Sequence, residues 1–477
     1  MLKKIEFTII NFSFLIIMIY ILLLNLLNNG AYTILFSIIF IVIFISIIKK
    51  ILNSNNEKYI GIVSIIILIF NFVFFIYLGF RLRVSYSWDY GTIQKLALEY
   101  ANTGMLKTNS LIYLLRYPNN RLITIILSLL FRFLHVAFGI KSVSIYKASS
   151  IVLNAIFMGF SYIVTYLLAR KIKGEKFAFI VLLFLEFLLP LEAYSAIFYT
   201  DTIGLFFFPL ILLFYYCYKE KNEKKYLFLI GVFSLIGFEI KATIIFVLLT
   251  IIIDIICNNK FRIIFKNIFI ITFSFVILYL IFNNGMNMFF NIKKEQMDKY
   301  NFPHTHHVMM MLNKTGGYIQ EDVNYTASFD TYKEKQKANI EMIEKRIKDR
   351  GIGGTINHLF YTKWKRTWTD GSFASYDYLN RGTVSKNIWS NLIPKDGKNY
   401  KYYKLYTTVY WLFLIIGMII AFKDNNENIL MIKMIIIIMA LFLTIWECNS
   451  RYIVQILPLI VLLGICGWFS VLKKEKI

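Results

Sequence analysis

Ser87-Trp88-Asp89-Tyr90-Gly91 opens a polar stretch, 81–121, caught between strongly apolar segments. The stretch continues as an amphipathic helix with Ile93, Leu96, Ala97 and Tyr100 on one face. It closes on Arg116-Tyr117-Pro118-Asn119-Asn120-Arg121 before apolar sequence resumes. Outward from it, the chain repeats apolar runs of roughly 17–22 residues, each long enough to cross the hydrocarbon of a bilayer. Of 477 residues, 58% are hydrophobic and 18% aromatic, where a soluble domain holds about 45–50% apolar residues. The fold expected is an all-α, polytopic transmembrane helical bundle.

The net charge of +24 admits nucleic acid as a partner. The placement of the cations argues against it, because Lys and Arg gather in short loops between apolar runs, as the positive-inside rule requires. Cys217, Cys257, Cys448 and Cys466 lie in or beside apolar runs without CxxC spacing, so neither a disulfide framework nor a zinc site is implied.

Spans are expected at about 7–28, 33–48, 59–80, 145–169, 177–197, 202–218, 226–239, 242–257, 262–282, 405–422, 429–446 and 451–472, about twelve in all. The run 122–139 is apolar enough to cross as well. It carries Arg132 and His135, and an Arg at mid-bilayer costs about 2.5–3.5 kcal/mol. If 122–139 lies along the surface instead, the basic loops at 170–176, 219–225, 258–262 and 423–428, with the tail Lys473-Lys474-Glu475-Lys476, all fall on the cytoplasmic side with both termini. The chain then divides into three N-terminal spans (1–80), an outward loop with its amphipathic helix (81–121), a surface helix and transmembrane core (122–282), a small outward domain (283–403) and three C-terminal spans (404–477).

On this topology the outward turns collect Asp89, Asp201, Lys241 and Arg451. Ionisable groups at span ends facing a cavity point to a functional site. A carboxylate beside two cations suits transfer from a phosphate-linked donor: the carboxylate takes a proton from an attacking hydroxyl while the cations balance charge on the departing phosphate. Each residue also has a plainer reading. Asp89 can simply face a helix dipole and Asp201 cap a helix, while Lys241 snorkels and Arg451 anchors at the interface. Glu186 and Asp254 interrupt apolar runs and are expected to pair structurally. His304, His306 and His307 carry no carboxylate or Cys at helical spacing, so a loop that binds an acceptor or supports the fold is favoured over a metal site. Trp364, Trp368 and Asp370 suit sugar stacking or, equally, an interfacial anchor.

These pieces resemble the GT-C class of integral-membrane glycosyltransferases, of the protein O-mannosyltransferase and aminoarabinose-transferase type. The resemblance rests on Asp89 ahead of an amphipathic helix, on Leu167-Leu168-Ala169-Arg170 ending a span, and on Asp201 opening a later one. It rests further on Gly231 and Gly237-Phe238-Glu239-Ile240-Lys241 and on Arg451-Tyr452 followed by Pro458. Asp89 is followed by Tyr90 rather than the Glu common in mannosyltransferases. Tyr117-Pro118-Asn119-Asn120 stands where aminoarabinose transferases carry Lys-Pro-Pro-Leu. The resemblance implies a bacterial enzyme of the cell membrane that moves a sugar from a polyprenyl-phosphate-linked donor to an extracytoplasmic acceptor: a cell-wall polymer, glycolipid or protein. It implies catalysis by Asp89 and Asp201, with Lys241 and Arg451 on the lipid phosphate. Trp88, Tyr117, Asn119, Asn120, His306, His307, Trp368, Asp370 and Tyr452 are the other substrate-contact candidates. A divalent cation is compatible with the sequence and not required by it. The alternatives are a transporter or flippase of lipid-linked sugars, which would want a repeat and charged or broken helices at mid-membrane, and a non-catalytic scaffold.

Overall fold

The computed structural model describes residues 2–54, 57–382 and 386–474, and among these every regular element is helical. Glu475 and Lys476 of the basic tail lie outside the described residues. Ten helices are long and apolar enough to cross a membrane, or eleven if the bent pair Glu175–Glu186 and Leu189–Ala196 is one span. Two of the twelve expected spans fall short. Lys224–Ile240 and Ile245–Asn258 have 17 and 14 residues, and together they meet at the polar turn around Lys241.

The run expected at the surface forms the Arg121–Phe138 helix, and it passes the length and apolarity test for a span. Both halves of the helix are tied to the polar stretch. Arg121 Nε donates to the Leu114 carbonyl (3.0 Å) and Arg132 Nη1 to that of Ala101 (2.7 Å). His135 meets the Tyr146 hydroxyl at 3.3 Å, and the neighbouring Lys147 bonds the Val84 carbonyl. Leu114, Ala101 and Val84 all belong to the polar stretch, so this helix packs along that stretch.

The basic loops gather at the opposite end. Lys171 pairs with Glu220, Lys173 with Asp424 at 2.6 Å, and Lys219 with Glu427 at 2.8 Å. Asn11 of the first helix reaches Asn425 there (2.9 Å). Asp254, expected to pair inside, accepts from Tyr215 (2.6 Å) and Asn258 (3.1 Å).

Where helices approach most closely, glycines make the room. A Cβ on Gly417 would stand 2.2 Å from the Gly464 carbonyl oxygen, and one on Gly467 only 1.9 Å from that of Gly417. Small residues at helix contacts are the usual route to tight packing in a membrane, where lipid is as apolar as the side chains. They lock the last helix, Leu457–Lys474, against Tyr400–Ile420.

The segment 283–403 is not one body. Its first half folds as short helices, Lys294–Tyr300, His304–Met311 and Gln320–Ala327, against the long helix Tyr332–Asn357. Asp322 and Arg346 pair within that lobe. Its second half enters the bundle, where Trp364, Trp368, Phe373 and Leu379 join the main apolar core. Lys363 Nζ donates at 2.6 Å to the carbonyls of both Thr444 and Trp446, satisfying groups freed where Glu427–Ile445 ends.

Candidate functional site

Asp89 lies in the first turn of the Trp88–Thr103 helix, half-buried. Trp88, which starts that helix, is held at φ 46°, a left-handed conformation costly for a bulky residue and a recurrent mark of functional sites. Gly91 follows because a Cβ there would meet the Tyr86 backbone at 2.4 Å. The Tyr199 hydroxyl donates to Asp89 Oδ2 at 3.1 Å. The Asp89 carboxylate also stands close to Tyr113 and Tyr117, whose phenols are pushed well above their ordinary range by burial first and by this negative charge second.

Tyr199 leads to the second acid. Two residues on, Asp201 sits in the short Thr200–Gly204 helix with its side chain 2% exposed. Lys241 binds Asp201 Oδ1, and Arg451 Nε stands 3.3 Å from Oδ2. A carboxylate so deeply buried is tolerable because two cations compensate it. The three carry a net +1. The Arg451 guanidinium is boxed by rings, its carbon 5.2 Å from the centre of Trp88, 5.1 Å from Tyr199, 4.6 Å from Tyr378 and 5.7 Å from Tyr452. Lys241 Nζ lies 5.2 Å over Tyr452. Arg451 Nε and Nη1 are buried with no hydrogen-bond partner. Nε faces Asp201 as an ion pair, which leaves Nη1 as a buried cationic donor, unbonded among the described residues, in a net positive triad that attracts an anion.

The supports come from the polar segment. Asp370 accepts from the Ser372 and Ala374 amides (3.0 and 2.8 Å) and from the Ser450 hydroxyl (2.7 Å). It thereby holds Phe373 and Ala374 in left-handed backbone, φ 51° and 59°, and ties Ser375–Leu379, which carries Tyr378, to the residue before Arg451. Asp370 is fully engaged in this role. Trp368 is 1% exposed, and its carbonyl accepts from Trp411 (2.7 Å) and Asn25 (3.0 Å), so its ring offers no face to a sugar.

The other candidates divide. Asn120 donates to the Tyr113 hydroxyl (2.7 Å) and accepts from exposed Asn119 (3.3 Å), so Asn120 stands one residue removed from Asp89 and Asn119 two. His307 stacks on Trp446 at 4.6 Å and lies 3.8 Å from Glu447, four residues ahead of Arg451. His306 turns inward, is buried, and meets the Thr326 hydroxyl at 2.7 Å. Burial holds its imidazole neutral down to a pKa of about 3, helped by neighbouring His307. Among the described residues no three His, Cys, Asp or Glu side chains come together as metal ligands. Sequence reasoning passed over Tyr199, Tyr378 and Glu447. Glu447 stands at a span end like Asp89 and was within reach of the same rule, whereas nothing near Tyr378 distinguishes it.

Residues 4–471 match the model of a family described as "conserved hypothetical integral membrane protein". The chain belongs to that family. Among curated proteins none matches. Among solved structures, the chain is similar to the archaeal oligosaccharyltransferase AglB from Archaeoglobus fulgidus, solved in complex with an inhibitory peptide and a dolichol-phosphate. The identity is 12% and the TM-score 0.46, over 88% of this chain and 51% of that one. The chain thus spans about half the length of that protein.

Proposed function

We propose that this integral membrane protein is a glycosyltransferase that takes a sugar from a polyprenyl-phosphate-linked donor and passes it to an acceptor outside the cytoplasm. One observation carries the reading. A half-exposed carboxylate and a buried Lys–Asp–Arg triad with an unbonded cationic donor, drawn from four distant parts of the chain, are joined through Tyr199 at one end of the bundle. The basic loops lie at the other end, which supports an extracytoplasmic site by the positive-inside rule.

In this mechanism Asp89, oriented by Tyr199, accepts the proton of the acceptor hydroxyl as its oxygen bonds to the anomeric carbon. The bond from that carbon to the phosphate oxygen breaks, the lipid phosphate leaves with the electron pair, and configuration inverts. Lys241 and Arg451 hold the phosphate and balance its growing charge. Asp201, enclosed by both cations, acts as a positioning residue that fixes them rather than as a contact to the acceptor. Tyr117 and His307 face the same region and line the acceptor approach.

The test is transfer by purified protein in lipid vesicles from a synthetic polyprenyl-phosphate sugar. Asp89→Asn is expected to lose about 10²–10⁴ in rate while the protein stays folded, the usual contribution of a general base. Full transfer by that variant would remove Asp89 from the mechanism. A flippase is the second reading, favoured by the 57° break between Glu175–Glu186 and Leu189–Ala196, since broken helices mark transporter sites. It requires movement of the lipid-linked sugar across the vesicle membrane with the sugar still attached.

A further inference from the structure

The break in the fifth expected span, 177–197, makes a second site. Pro190 begins the short Leu189–Ala193 helix and the chain bends there, which frees carbonyls at the end of Glu175–Glu186. Three tyrosines take them up. Tyr162 donates to Leu185 at 3.0 Å, Tyr410 to Phe184 and Tyr406 to Phe187. With its backbone satisfied, the bend leaves two acids beside one cavity of about 510 Å³. Glu186 accepts from Asn71. Glu192 is only 3% exposed and lines the cavity, and among the described residues its side chain has no hydrogen bond or ion pair.

Most of the remaining lining is aromatic, including Phe70, Phe74, Phe187, Trp389, Tyr402 and Tyr406. Phe70, Phe187 and Tyr402 are exposed at its mouth, and Phe70 stands on the side of Glu57–Arg81, a helix long and apolar enough to cross a membrane. A carboxyl buried in an apolar chamber stays neutral unless a cation joins it, so a bound cation is what would hold Glu192 ionised. Calcium or magnesium would want six or more oxygens or retained water, which two carboxyls among rings do not provide. An ammonium group suits the chamber, since it donates to carboxylates and is drawn to ring faces. The aromatic mouth beside Glu57–Arg81 admits an acyl chain with it.

We infer that this cavity binds the ammonium headgroup of a membrane lipid, at a place separate from the Asp89 site. The test uses the full-length protein purified into mixed vesicles, with retained lipid counted by native mass spectrometry. The probes are phosphatidylethanolamine and phosphatidylglycerol of matched chains. Preferential retention of the ethanolamine lipid is expected, and Glu192→Gln should cut that preference about tenfold or more, the scale of a hydrogen bond to a charged group. Trp389→Leu, which leaves both acids in place, should weaken it as well and decides the matter if the first variant does not fold. Equal retention of the two lipids by the unmodified protein overturns the proposal. So does unchanged preference in the variants, or displacement of neither lipid while soluble ethanolamine alone stabilises the protein.

Discussion

Arg451 and Asp201 meet at 3.3 Å with both side chains almost wholly out of solvent, and Lys241 occupies the other oxygen of the same carboxylate. One anion therefore compensates two buried cations. Asp201→Asn should destabilise the protein by about 3–5 kcal/mol, the cost of breaking a buried pair from one side. The thermal midpoint in detergent checks this. Added prenyl phosphate should recover part of the loss by restoring an anion to Lys241 and Arg451.

Arg451 lies among four rings, and Lys cannot copy a planar guanidinium there. Arg451→Lys is expected to raise KM for the lipid-linked donor by about tenfold or more, with KM for the acceptor unchanged. Initial rates at varied donor and acceptor separate the two constants. An equal rise in both would remove Arg451 from donor binding.

Tyr199 acts through Asp89, so the two should not be additive. Tyr199→Phe is expected to slow transfer by about tenfold in the native background, the worth of one hydrogen bond to a charged group. It should change little once Asp89 is Asn. Single-turnover rates of the two single variants and the double variant make the cycle.

His306 sets a pH limit on the lobe formed by 294–357. Its folded pKa, about 3, lies below the value of about 6.5 that it takes in an unfolded chain. The unfolded chain therefore gains a proton first, and stability present above pH 6.5 falls as the pH drops toward 3. Each unit in that window costs about 1.4 kcal/mol. His306→Gln should flatten this slope, read as thermal midpoint against pH.

Gly467→Ala would push a methyl into the Gly417 carbonyl and part the two helices near Ala421. A loss of about 1–3 kcal/mol is expected, the range for an overpacked core, with a lower thermal midpoint at every pH.

Much of this architecture is written in the chain, because membrane spans announce themselves by length and apolarity alone. Asp89, Asp201, Lys241 and Arg451 were visible for the same reason: each is a charge at the edge of an apolar run. What one dimension hides is which side of a residue faces what. Trp368 carries the composition of a sugar platform, but its ring is enclosed by helices from both ends of the sequence. The bend before Pro190 passed as one continuous span, since apolar residues continue on both sides of Glu186 and the hydroxyls that mend its backbone belong to Tyr162, Tyr406 and Tyr410. The second half of 283–403 looked polar enough to stay outside, and its few large rings were sufficient to draw it in.

The Lys363 ammonium, held between the carbonyls of Thr444 and Trp446, has a consequence for biogenesis. The ribosome delivers Lys363 some eighty positions before those partners exist. Until the final helices are threaded by the insertion machinery, the Lys363 ammonium has neither carbonyl, and the newborn protein must wait half-assembled with that charge unhoused. Chains halted before Glu427 should then be prey to quality-control proteases, and supplying the missing C-terminal piece as a separate polypeptide should rescue them.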